Sequence, residues 1–343
     1  MHFASDNAGI VHPQILAALS EANQGFAMAY GNDEVTKAAQ ERLRTLFESP
    51  LAEVFFVPTG TAANALALAS FTQPFQTVYC TPLAHIQEDE ANAPEFFTGG
   101  AKLTLVGAQD KMQPSDLRAA LERSEQRGVH GAQAGPVSIT QVTEFGQVYT
   151  LDELSALTEI ARAFGVPVHL DGARFANACA TLNCSAADMT WKSGVDVACF
   201  GGTKNGCMGV EAVVIFNPDL AQSFQLRRKR AGHLFSKQRY LAAQMLGYLE
   251  NDLWLSLAKQ SNQNCAYLAS KLRGVAGVEF DYAPEANLIF CNFPTDMHTR
   301  LMAAGAQYHV TTAPADARQS ARLVCDWSIS TAQIDAFVAA MTD

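Results

Sequence analysis

At 343 residues the chain can bury a large core and could divide into one to three domains. Hydrophobic residues make up 48% and charged residues 17%, a globular composition, and a formal net charge of −10 argues against nucleic acid as a partner. The cluster Arg227-Arg228-Lys229-Arg230 is a local exception, too short to outweigh that balance.

The start, Met1-His2-Phe3-Ala4-Ser5-Asp6, does not read as a secretory signal, and no uninterrupted apolar stretch is long enough to cross a bilayer. The eight cysteines contain no C-x-x-C pair and several sit in apolar runs, so they read as reduced, buried thiols in a soluble cytoplasmic protein. No metal site is expected.

Ser5-Asp6-Asn7 and Tyr30-Gly31-Asn32-Asp33-Glu34 are polar, turn-like clusters on either side of a short helix starting near Pro13. The spacing of Ala39, Leu43, Leu46 and Phe47 predicts a helix over about 36–47. Residues 53–57 read as a strand, followed by the small-residue turn Pro58-Thr59-Gly60-Thr61-Ala62-Ala63-Asn64 and an alanine- and leucine-rich helix. Strand, small turn, then helix is how backbone N–H groups are presented to a phosphate. Gly60 permits the tight turn, and Thr59 and Thr61 can add hydroxyl donors. Many strand–helix turns share this pattern, and Thr61 could equally be an N-cap.

A second strand over 77–80 runs into Thr81-Pro82-Leu83-Ala84-His85. A histidine after a strand is more often structural than catalytic. His85, however, falls at the same predicted sheet edge as Gly60, Asp171 and Lys204, where an imidazole can stack on a planar ring or act as a base. Residues 102–106 and 136–142 are further strand candidates. Thr150-Leu151-Asp152-Glu153 is a capping box in front of the apolar face Leu154, Leu157, Ile160, Ala161 and Phe164.

The most informative pair of segments comes next. Val166-Pro167-Val168-His169-Leu170-Asp171 and Val195-Asp196-Val197-Ala198-Cys199-Phe200-Gly201-Gly202-Thr203-Lys204 are apolar runs that stop abruptly at polar and glycine residues. They read as buried parallel strands about one βαβ unit apart, the first delivering Asp171 and the second Lys204. In an open α/β sheet, ligands sit outside the carboxyl ends of the strands. An acid and a lysine there suggest pyridoxal phosphate, with the lysine as Schiff-base former and the acid beside the pyridinium nitrogen. An ordinary salt bridge between two strand ends is the alternative.

With 212–216 as the last strand, seven candidates begin at 53, 77, 102, 136, 166, 195 and 212, separated by helices or loops. Such alternation argues for a mostly parallel, doubly wound α/β sheet. From Ala242 the pattern changes. A long helical stretch through Trp254 to Leu272, strands over 278–280, 287–293 and 322–327, and a terminal helix from about Thr331 read as a smaller α+β domain. The expected division is an N-terminal arm at 1–15, a large cofactor-binding domain at 16–250 and a small domain at 251–343.

Taken together, SDN at 5–7, YGNDE at 30–34, PTGTAAN at 58–64, AHIQEDE at 84–90, QVTEFGQVYT at 141–150, HLDGARFANA at 169–178, FGGTKNG at 200–206, RRKRAGHLFSK at 227–237 and RLVCDWS at 322–328 carry a resemblance. The chain resembles the low-specificity L-threonine aldolases of the β-eliminating lyase family, pyridoxal-phosphate enzymes of the aspartate-aminotransferase fold, fold type I. The resemblance runs along essentially the whole chain, and HLDGARFANA with FGGTKNG is its most specific part. It implies a PLP-dependent transferase-like large domain with a seven-stranded sheet and a smaller C-terminal domain. It also implies cleavage of β-hydroxy-α-amino acids (L-threonine, L-allo-threonine, extending to L-phenylserine) to glycine and an aldehyde.

Carried over by resemblance, Lys204 is the Schiff-base lysine, Asp171 the partner of the pyridine nitrogen, Gly60 and Thr61 the phosphate positions, and His85 the histidine on the ring and candidate base. Arg174 matches the arginine near the cofactor's phenolic oxygen and the substrate carboxylate, and Arg322 with Ser5 the carboxylate clamp. Tyr30 and the segment 227–237, Lys229 included, match elements that approach the site from a neighbouring subunit, which implies a homodimer or homotetramer. On the residues alone, Arg322 could instead pair with Asp326, Tyr30 could be a core aromatic and 227–230 a solvated face. One departure stands out. Several relatives carry a histidine in the loop after the 136–142 strand, whereas this chain has Thr143-Glu144-Phe145-Gly146, which leaves the base for the hydroxyl open and puts an aromatic near the site. Other readings of the same scaffold are a β-eliminating lyase, an amino-acid racemase, or a non-catalytic binding protein.

Overall fold

A computed structural model describes residues 1–313 and 316–342. Seven strands form one sheet: β1 (Glu53–Val57), β2 (Gln76–Cys80), β3 (Lys102–Leu105), β4 (Gln133–Thr140), β5 (Val168–Asp171), β6 (Val197–Gly201) and β7 (Glu211–Ile215), in the order β1-β7-β6-β5-β4-β2-β3. Neighbours from β3 through β6 are parallel, while β7 runs antiparallel to both β6 and β1. The central strands β5, β6 and β7 are buried along their whole length, which is why they read as unbroken apolar runs and not as alternating ones. The edge strand β3 is largely open to solvent, and Lys102 on it blunts further strand pairing.

The helices around this sheet follow their caps. Asp33 caps Glu34–Leu46, accepting from Thr36 N at 2.8 Å. The predicted capping box is formed: Thr150 Oγ1 accepts from Glu153 N and the Glu153 carboxylate accepts from Thr150 N, starting the helix Leu151–Ala163. Glycines let the ends of β5 and β6 approach. A Cβ at Gly172 would sit 2.1 Å from Cys199 O, and one at Gly201 2.4 Å from Ala173 O. These two positions therefore have a packing reason, independent of any ligand.

The C-terminal sheet is antiparallel, in the order β10-β11-β9-β8: β8 (Glu279–Phe280), β9 (Leu288–Pro294), β10 (His309–Val310) and β11 (Arg318–Val324). The expected strand at 322–327 is shifted: β11 starts earlier and ends at Val324. Arg322 consequently lies well inside the strand and not at its first position, opposite Phe290 and His309. Residues 318–324 alternate between half-buried and buried positions, so an amphipathic period of two, and not a purely apolar run, defines that strand. Its core gathers Leu268, Leu272, Ile289, Phe293, Leu323, Ile334 and Phe337.

Two features join the halves. Helix Leu253–Leu272 places Trp254 and Ala258 in the core of the large sheet and Cys265 and Leu268 in that of the small one. Phe3 is fully buried in the small sheet's core, its N–H donating to Gln307 O at 2.7 Å and its carbonyl accepting from Val324 N at 2.8 Å. All eight cysteines are free, and all but Cys184 are buried.

Candidate active site

The carboxyl ends of β1, β2, β5 and β6 bring most of the predicted residues to one edge. After β1, Thr59 is the N-cap of helix Gly60–Ser70, its hydroxyl accepting from Ala62 N at 3.2 Å. Thr61 is therefore inside the first turn and is not the cap. The N–H groups of the first turn have no carbonyl behind them, and a Cβ built on Gly60 would meet nothing within 4 Å. This is open space in front of a helix N-terminus, where an anion is favoured.

Asp171 ends β5 and is buried. Its Oδ1 accepts from Ala173 N at 3.1 Å and its Oδ2 from Asn64 Nδ2 at 2.9 Å. Asn64, on the inner face of the Gly60 helix, donates from the same amide nitrogen to Glu90 Oε1 at 2.9 Å. Glu90 Oε1 is in turn 2.9 Å from His85 Nδ1. His85 thus belongs to a chain of contacts ending at Asp171. The hydrogen bond to Glu90 lifts the His85 imidazole above its usual range against the opposing effect of burial, and the charges of Asp171 and Glu144 add to the rise. Burial raises the Glu90 carboxyl, offset in part by the same hydrogen bond.

Lys204 sits half-buried on the turn Thr203–Asn205 after β6. The turn is fixed from beneath: Asn205 Nδ2 donates to Tyr248 Oη at 2.6 Å and Trp254 O at 2.8 Å, and Gly202 N donates to Glu211 Oε2 at 2.9 Å. Lys204 acts electrostatically on Asp6 and Glu211, but neither holds it: Asp6 is taken by Arg174 and Asn287, and Glu211 faces the Gly202 amide. Burial pushes the Glu211 carboxyl up to about 7, with the Lys204 charge pulling the other way.

Arg174 is buried and engages Asp6 in a two-pronged pair, Nε to Oδ2 at 2.7 Å and Nη2 to Oδ1 at 3.1 Å. Burial tends to raise the Asp6 carboxyl, yet the charges of Arg174 and Lys204 hold it below the ordinary range. Arg322 approaches from β11. Its Nη2 donates to Ala4 O at 3.3 Å and its Nε is buried without a partner. Burial, then the charge of nearby Arg174, lower its pKa. It does not pair with Asp326, whose Oδ1 accepts from Ser328 N at 2.7 Å. Ser5 is adjacent in sequence to Ala4, but its own hydroxyl caps the turn Asp6–Ala8, accepting from Asn7 N at 3.1 Å.

Tyr30 is not a core aromatic. It is about half exposed, its N–H donates to Ser236 O at 2.9 Å, and the Lys229 ammonium lies 4.9 Å above its ring. Tyr30 and the 227–237 segment are therefore neighbours at the surface. In the turn after β4, Phe145 stacks on Tyr282 with ring centroids 4.7 Å apart and meets Phe290 edge-on at 4.9 Å. The aromatic at this position is engaged with the small sheet, and it is the Glu144 charge that reaches His85, Arg174 and Arg322.

Asp6, Asn64, Glu90 and Glu144 all lie within motifs of the chain, but residue type and spacing do not mark them as site residues. Of the three consecutive acids Glu88, Asp89 and Glu90, only the last is buried, and that inward turn has no signature in the residue types alone.

A mostly parallel α/β sheet presenting a lysine, a buried acid, a histidine and Arg174 at its carboxyl edge, with Arg322 approaching from the small sheet, agrees with what the chain matches. The β-eliminating lyase family model matches residues 2–293, and the chain belongs to that family. It is 43% identical over 327 residues to the low specificity L-threonine aldolase of Pseudomonas aeruginosa, covering 95% of this chain and 92% of that one. It is 41% identical to the enzyme of the same name from a Pseudomonas species, over 97% and 94% of the two chains. The solved structure of Leishmania major threonine aldolase superimposes with a TM-score of 0.93 at 27% identity, covering 99% of this chain and 98% of that chain.

Proposed function

We propose that this protein is a pyridoxal-phosphate-dependent aldehyde-lyase that cleaves L-threonine, L-allo-threonine and L-phenylserine at the Cα–Cβ bond to glycine and an aldehyde. The observation that carries the reading is the emergence of Asp171 and Lys204 from the paired parallel strands β5 and β6 at one edge, with His85 linked to Asp171 through Asn64 and Glu90. The residues fit the cofactor: an open helix N-terminus at Gly60 and Thr61 for the phosphate, a fixed carboxylate for the ring nitrogen, and a lysine that no acid among the described residues has captured.

Bound there, pyridoxal phosphate supplies an electron sink for the bond broken at Cα. Lys204 is the residue that would hold the cofactor through its side-chain amine. Asp171, oriented by Ala173 N and Asn64, keeps a proton on the ring nitrogen. Arg322, whose buried Nε lacks a partner, stands close enough to Arg174 for the two charges to repel, and a substrate carboxylate relieves both. Ser5 completes that clamp. Holding the carboxylate sets which bond at Cα is aligned for cleavage, which is a matter of positioning. His85 takes the β-hydroxyl proton, a contribution of roughly 10²–10⁴-fold for a placed base.

Tyr30 and Lys229, with exposed Phe26, Met28, Leu226 and Phe235 in the same two stretches of chain, support a homodimer or homotetramer in which this surface meets a neighbouring subunit. We also propose the division into an arm at 1–15, a large domain at 16–250 and a small domain at 251–343, and a cytoplasmic location. Among the described residues no helix is long and apolar enough to cross a membrane.

The test is an assay for glycine and aldehyde from threonine, allo-threonine and phenylserine. Pyruvate with ammonia would indicate β-elimination instead, and the D-amino acid a racemase. A colourless protein that pyridoxal phosphate does not turn yellow would overturn the reading altogether.

A further inference from the structure

Glu90 has no exposed side-chain surface. A single oxygen, Oε1, lies 2.9 Å from both His85 Nδ1 and Asn64 Nδ2, while Oε2 is buried with no partner, as is Asn64 Oδ1. Burying a carboxylate with one oxygen unsatisfied is costly, and packing alone would be served as well by a neutral side chain of the same shape. The contact has a chemical consequence. An ionised Glu90 accepts but does not donate, so opposite it His85 carries its proton on Nδ1 and, in the neutral ring, Nε2 is left as the free lone pair.

We propose that Glu90 is a positioning residue that fixes the Nδ1–H form of His85 and so turns the basic Nε2 toward the substrate's β-hydroxyl, with Asn64 tying the same carboxylate to Asp171. This rests on the function proposed above and adds to it the group that orients the base. Asn64 is well suited to the task, because one NH2 group has two hydrogens and can serve two carboxylates at once. Base orientation and the acid beside the ring nitrogen are thereby held by one network, so a shift of the Gly60 helix would disturb both. The charged groups facing His85 are Glu90 on its own segment, Asp171 from the end of β5 and Glu144 from the turn after β4. Among the described residues, only Glu90 is hydrogen-bonded to its ring.

The experiment separates orientation from charge. Glu90→Gln keeps an acceptor oxygen of the same reach and removes the charge, whereas Glu90→Ala removes both. Histidine 13C and 15N NMR on the whole chain, with and without added pyridoxal phosphate, gives the tautomer and titration midpoint of His85, assigned by loss of its signal in His85→Asn. Wild type should show the Nδ1–H form. In Glu90→Gln the midpoint should fall and the acid limb of kcat/KM should move to lower pH with it. In Glu90→Ala the kcat should drop by roughly 10²-fold, the lower end of what a placed base supplies, with KM little changed. An Nε2–H tautomer in wild type would overturn the proposal and needs no variant to fold. So would an unchanged midpoint and pH profile in a folded Glu90→Gln. Absence of aldehyde release by wild type would instead count against the proposed function, leaving the tautomer measurement standing.

Discussion

Two histidines mark the difference between the interior of the large sheet and its carboxyl edge. His169, in the middle of β5, is fully buried between Ser138 Oγ at 3.0 Å and Cys199 Sγ at 3.4 Å, and burial pushes its pKa down to about 4. His85, past the end of β2, keeps part of its ring exposed and has a carboxylate on Nδ1, which moves its pKa the other way. The side chain is the same and the two lie on one sheet. What differs is the company: neutral hydroxyl and thiol groups in the interior, charges at the rim. Interior positions settle for neutral forms, whereas at the rim His85 and Asp6 keep charges that desolvation alone would remove, His85 through its hydrogen bond to Glu90 and Asp6 through the Arg174 guanidinium.

From that contrast, rim substitutions should cost chemistry and interior ones stability. Lys204→Ala should have the largest effect, abolishing the absorbance band specific to the lysine-bound cofactor and nearly all turnover while leaving the melting temperature of the cofactor-free chain close to wild type. Asp171→Asn should follow, retaining some bound cofactor but losing most of the rate in steady-state assays. A large fall in the stability of the cofactor-free chain in either variant would break the contrast. The Asp6–Arg174 pair sharpens it, because this pair is both at the rim and buried. Asp6→Ala strands a buried guanidinium, so urea unfolding should show a loss of about 3–5 kcal/mol together with a raised KM for amino acid.

How much of this was legible in the chain depended on whether the determinant was local. The runs ending at Asp171 and at Gly201-Gly202 announced buried strands opening into a site, and Thr150 with Glu153 announced a helix start, because burial and capping act over a few residues. The reversal of β7 was not legible: an apolar run such as Ala212-Val213-Val214-Ile215 reads the same in either direction. Nor was the start of β11, whose polar Arg318, Ser320 and Arg322 alternate with buried residues and look like loop until the partner β9 is in place. The site divided in the same way. Lys204 and Asp171 sit at strand ends and could be read, whereas Asp6 with Arg174, and Asn64 with Glu90 and Asp171, are joined only by the fold.

The interior half of the contrast has its own, smaller signature in the dependence of stability on pH. His169 has a folded pKa of about 4 against an ordinary value of 6.5. Between those values the unfolded chain binds a proton that the folded chain refuses. Stability from this residue is therefore complete above pH 6.5 and drains away as the pH falls toward 4, by up to about 3 kcal/mol, since one pKa unit is worth about 1.4 kcal/mol. His169→Gln removes the titrating group while retaining polar contacts to Ser138 and Cys199. Its melting temperature should thus decline less steeply than wild type from pH 6.5 to 4.5, and its turnover at pH 8 should remain near wild type. A variant as acid-sensitive as the parent would place the titration elsewhere. One that lost its turnover instead would mean that the boundary between interior and rim lies deeper along β5 than the contacts of His169 indicate.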